Sequence, residues 1–94
     1  MKTLSKLVAE LKVDEETLER EAAKALLLHK LKLVESEIAS ILSKYNASSY
    51  EEFLRKVESG EVKEHPAWED LIVLENLMGF KRKILKLLEE LKLD

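Results

Sequence analysis

Glu64-His65-Pro66-Ala67-Trp68-Glu69-Asp70 holds the only proline and the only tryptophan of this 94-residue chain, together with one of its two histidines. It separates two long segments in which apolar residues recur at helical spacing, so its reading decides how they lie. Proline lacks the N–H that a helix interior needs but fits the first turn, where that donor has no partner. The stretch therefore marks a corner from which a helix runs over 66–92. A second long helix has to precede the corner and fold back.

Beyond the corner, Leu74, Leu77, Lys81, Ile84, Leu88 and Leu91 form a heptad-like seam interrupted only at Lys81, and Trp68, Leu71, Ile72, Met78 and Leu85 widen it. Ahead of the corner, Leu27, Leu31, Val34, Ile38, Ile41 and Tyr45 are spaced alternately by four and three residues, the repeat of a helix-pairing face. Asp14 is a good N-cap for that helix, expected over 15–45, and Glu15, Glu16 and Glu19 suit the positive end of its dipole. Between 22 and 34 the apolar residues spread around the helix, further than one antiparallel partner helix covers. This surplus predicts a homodimer, with Leu26 and Leu33 as candidate partner-binding residues.

The connector carries its own signals. Asn46 tolerates the left-handed conformation that ends a helix, and Ser49 with Glu52 reads as a capping box. A short helix over 50–59 follows, with Tyr50, Phe53, Leu54 and Val57 on its apolar face and Gly60 closing it. Trp68 is expected to join Phe53 and Leu54 as a plug at the closed end of the hairpin, with His65 and Pro66 as its structural corner. At the N-terminus, Leu4, Leu7, Val8 and Leu11 predict a helix over 3–12. The expected fold is all-α and spans 1–94 as a single helical domain: a long antiparallel, coiled-coil-like hairpin with a short N-terminal helix and a connector helix, packed as a dimeric bundle.

Composition agrees. Apolar residues make up 46% and charged residues 37%, with two glycines and one proline, which leaves little turn material for a sheet. With no cysteine there is neither a disulfide framework nor a thiolate metal site. No apolar run approaches the ~18 residues of a membrane span, and Lys6, Glu10 and Lys12 interrupt any signal-peptide core, so a cytoplasmic location is expected. Glutamine is absent and Lys plus Glu supply most of the charge, a tendency of thermophile proteins.

Candidate chemistry is sparse. His65 stands near Glu61, Glu64, Glu69 and Asp70, but metal ligands on a helix must recur at i, i+3 or i+4 and only Glu69 meets that spacing. His29 stands alone on an apolar stretch, no nucleophile elbow surrounds any serine, and Gly60 and Gly79 make no phosphate loop. The expectation is a non-enzymatic protein with no catalytic residue, cofactor or metal ligand. The segment from Leu7 to Arg20 resembles the helix-turn-helix signature of DNA-binding regulators, with Ala9, Leu11, Val13, Thr17 and Arg20 at matching places. It departs from it in having Lys12 for the usual turn glycine, and five acids in the would-be recognition helix repel a duplex. The cluster Lys81, Arg82, Lys83 and Lys86 is the better basic candidate, although a solvated helix face explains it equally.

With Ser49-Tyr50-Glu51-Glu52-Phe53, Gly60 and above all His65-Pro66-Ala67-Trp68-Glu69-Asp70, the third of the chain over 45–77 resembles small, mostly uncharacterised helical proteins of thermophilic archaea, some of them antitoxin-like. The resemblance implies an interaction protein and assigns no catalytic residue. The expected function is thus a protein–protein interaction module, the antitoxin-like member of a toxin–antitoxin pair. Helix capping explains Glu69 and Asp70 but not Glu58, Glu61 and Glu64, which become the candidate contacts for a basic partner such as a toxin nuclease. The alternative is a nucleic-acid-binding regulator using the N-terminal segment or the Lys81–Lys86 cluster, which the acidic balance disfavours.

Overall fold

Residues 2–93, without the side chains of Leu4 and Leu93, are described by the computed structural model of the chain. Four α-helices follow in order: α1 (Lys2–Leu11), α2 (Glu15–Lys44), α3 (Tyr50–Glu58) and α4 (Glu64–Leu93), with no strand among the described residues. The boundaries have local causes. Asp14, in extended conformation, accepts hydrogen bonds from the Thr17 backbone N–H at 2.7 Å and the Thr17 hydroxyl at 2.9 Å, satisfying a donor that α2 leaves free. At the other end of α2, Asn46 takes φ 52°, and Ala47 and Asn46 donate to Leu42 and Ser43, a Schellman closure. Gly60, with φ 81°, ends α3 the same way, with Glu61 and Gly60 donating to Lys56 and Val57. The capping box is shifted by one residue: Ser49 Oγ accepts from the Glu52 N–H at 3.1 Å, but the Glu52 carboxylate accepts from the N–H and hydroxyl of Ser48.

Within α4, His65 is extended (φ −110°, ψ 122°) and regular helical backbone begins at Pro66, as expected of a residue that precedes proline. α4 then runs back along α2. The contacts Lys44 to Asp70 (2.9 Å) and Glu35 to Lys81 (3.2 Å) fix an antiparallel register in which rising numbers on one helix meet falling numbers on the other. Lys81, the polar break in the α4 seam, is thereby paired across the interface.

The core lies at the closed end. Phe53 and Val57 of α3 and Ala67, Leu71 and Leu74 of α4 are buried, with Ile38, Ile41, Leu42 and Tyr45 of α2 packed on them. The rings of Tyr45 and Phe53 stack at 4.3 Å. Trp68 does not join this plug. It is 44% exposed, and Ala67 takes the inward position. The reason is helical phase: Ala67 precedes Leu71 by four residues and Leu74 by seven, which puts it on their stripe, whereas Trp68 is turned about 100° away. Ile72 is likewise exposed, one residue past the buried Leu71, and does not widen the seam, whereas Leu85, two heptads after Leu71, lines grooves with Leu28, Ile38 and Leu42 of α2 although it is itself exposed.

The molecule is long and thin, measuring 60 × 24 × 18 Å with a radius of gyration of 19.1 Å, where a compact chain of this length has about 12 Å. No described helix is long and apolar enough to cross a membrane.

Candidate interaction surfaces

The corner opens from a polar lattice that clamps α4 to α2. Asp70 accepts from the Tyr45 hydroxyl and from Lys44 Nζ, at 2.9 Å, and these bonds hold its carboxyl below the ordinary aspartate value. Burial, then the bond to Asp70, raises the Tyr45 hydroxyl. Across α3, the Tyr50 hydroxyl donates to Glu75, which raises its own pKa, and Lys56 Nζ donates to the Tyr45 and Asn46 carbonyls at the end of α2. Asp70 is therefore spent on the fold.

Glu58, Glu61 and Glu64 are not. All three are exposed around the α3–α4 connection, and none makes an ion pair among the described residues. His65 Nδ1 lies 2.8 Å from Glu69 Oε1, and both side chains stand in solvent together with Pro66. No group of three or more His, Asp or Glu side chains that could hold a metal occurs among the described residues. The corner thus combines an exposed indole with uncompensated carboxylates.

Leu26 and Leu33 are a second, separate surface. They are 56% and 51% exposed, about 27 and 16 Å along α2 from its last residue, so the fold does not bring them to the acidic corner. α1 leaves them uncovered, and its own Leu7 and Leu11 are exposed as well. On α4, Val73, Phe80 and Leu87 are exposed apolar residues that the seam reading passes over, although a strict seven-residue interval one position ahead of Leu74, Lys81 and Leu88 marks them. A groove of about 460 Å³ near the open end is lined by Leu28, Leu85, Leu88 and Leu91 together with charged residues that include Arg20, Lys24 and Glu89.

The two nucleic-acid candidates fare differently. Lys12, at the place of the usual turn glycine, has φ 56°, the left-handed conformation that glycine supplies there, but the helix it introduces is thirty residues long and opens with Glu15 and Glu16. In the basic cluster Lys81 is paired with Glu35, while Arg82, Lys83 and Lys86 are exposed and, at about 100° per residue, lie within about 100° of one another on one face of α4.

Comparison with known proteins places the chain. A model of the Uncharacterized protein MJ0235 family matches residues 1–94. The protein of that name from Methanocaldococcus jannaschii is 35% identical over 68 residues, which cover 72% of this chain and 83% of the relative. No solved structure matches. The chain belongs to the MJ0235 family.

Proposed function

We propose that this member of the MJ0235 family is a non-enzymatic helical protein–protein interaction module, a homodimer that presents its acidic corner to a basic protein in the manner of the antitoxin half of a toxin–antitoxin pair. One observation carries the reading: the fold leaves far more surface open than a free-standing chain of its size. The accessible surface is 7160 Å², whereas a compact monomer of 10.9 kDa has about 5,600 Å². The excess of about 1,600 Å² lies in the range that obligate homodimers bury on each partner. Its exposed leucines favour association with another apolar surface.

The corner supports the second half of the proposal. Trp68 is the kind of large, amphipathic side chain that anchors interfaces, and the exposed Glu58, Glu61 and Glu64 around the α3–α4 connection are free to meet positive charge. Their field would speed encounter with a basic partner more than it would add affinity.

Affinity purification from the native host tests this with two baits, the wild-type chain and a variant carrying Trp68→Ala, Glu58→Gln, Glu61→Gln and Glu64→Gln. The expected result is a basic protein held in stoichiometric amount by the wild type, lost from the variant and released by salt. A wild-type bait that retains only copies of itself contradicts the partner half, and a partner that the variant holds equally well contradicts the assignment to the corner.

A further inference from the structure

We infer that the second copy of the chain packs against the face of the hairpin opposite α3, through Leu26 and Leu33 of α2 and Val73, Phe80 and Leu87 of α4. The inference rests on the homodimer reading above and adds the surface to it.

The face follows from helical phase. Leu27, Val34 and Ile41 on α2 and Leu74, Lys81 and Leu88 on α4 recur every seven residues and point across the intramolecular seam. A helix turns about 100° per residue, so the residue after each seam position lies on one flank of the helix and the residue before it on the other. In an antiparallel pair the following residues of both helices share one flank of the hairpin. The structure identifies that flank. Leu42, Glu75 and Arg82, each one step past a seam position, all gather around Tyr50 of α3. The preceding residues share the opposite flank, and they are Leu26, Leu33 and Ser40 on α2 with Val73, Phe80 and Leu87 on α4.

Five of these six are large and apolar, and each of the five is more than 40% exposed. The register set by Glu35 and Lys81 puts Leu33 within about one turn of Phe80 along the hairpin and Leu26 within about one turn of Leu87. The result is one apolar strip two heptads long, about 21 Å, on the flank that α3 leaves bare.

Two observations name a second copy as the occupant. The surplus surface is of the size an obligate homodimer buries. The charges on this flank are also self-complementary. Lys30 and Glu37 are exposed, make no ion pair among the described residues and stand at nearly equal distances on either side of Leu33. A two-fold axis crossing at Leu33 sets Lys30 of each copy level with Glu37 of the other, as an isologous interface requires.

Light scattering on three full-length proteins tests the assignment: the wild type, Leu33→Glu with Phe80→Glu, and Ile72→Glu, an exposed apolar residue off the strip. Circular dichroism confirms that each remains helical. The expected result is a dimer for the wild type and for Ile72→Glu, with the dimer dissociation constant raised about a hundredfold or more in the strip variant. A dimeric wild type whose strip variant dissociates no more readily overturns this face and leaves the homodimer standing. A monomeric wild type at tens of micromolar overturns the homodimer and the inference with it.

Discussion

At the scale of single residues, neighbours one step apart on α4 have opposite fates, and this gives the sharpest mutational contrast in the protein. Trp68→Ala removes a side chain that is nearly half exposed and is expected to cost less than about 1 kcal/mol in a denaturant titration. Ala67→Leu places a larger group at a fully buried position between α3 and α4 and is expected to cost about 1–3 kcal/mol. The caps were legible in the sequence because their chemistry is local: Asp14, Asn46, Ser49 and Gly60 all act where their types suggest. Trp68 was not, because its size suggested burial while its phase relative to Leu71 and Leu74 decided against it.

Asp70 gives a pH-dependent prediction at the same scale. Its bonds to Tyr45 and Lys44 hold the folded-state pKa below the ordinary value of 3.8, so the unfolded chain binds the proton more readily than the folded one. The stabilisation is complete well above that ordinary value and disappears as pH falls through the lower, folded-state value. Asp70→Asn is therefore expected to cost about 1–2 kcal/mol at neutral pH, an amount typical of a charged hydrogen bond. The gap to wild type should narrow steadily below about pH 4 in parallel urea titrations. A constant gap from pH 7 to pH 2 would show that the lost carboxylate charge is not the cause.

At the scale of elements, the seam of α2 was fully legible, since Leu27 through Tyr45 at alternating intervals of four and three can describe only one buried stripe. α4 was legible in part. Its apolar residues fill two adjacent stripes, and periodicity alone does not say which one faces α2. The Glu35–Lys81 and Tyr45–Asp70 contacts decide it, sending Leu74 and Ile84 inward and leaving Val73, Phe80 and Leu87 outside. α3 is held by very few side chains, with Phe53 and Val57 as its buried pair. Phe53→Ala is accordingly expected to cost about 3–5 kcal/mol. Hydrogen exchange should then show the amides of α3 losing protection before those in the middle of α2.

At the scale of the whole molecule, only seven described hydrophobic residues are buried, clustered mainly at one end of a particle 60 Å long. A core that small gives a single chain of this length little stability, and the apolar strip along the bare flank is where more burial is available. The exposure of Leu26, Leu28 and Leu33 was readable from the spread of apolar residues around 22–34. The strip itself was not, because half of it lies on α4 and becomes continuous only in the antiparallel register. If the chain folds as a dimer, its Tm rises with protein concentration, by mass action. Sedimentation equilibrium of the wild-type protein from about 1 to 100 µM distinguishes a paired chain from a single one. A homodimer gives a particle of twice the 10.9 kDa chain mass across the upper part of that range, and a mass of one chain at every concentration rules it out.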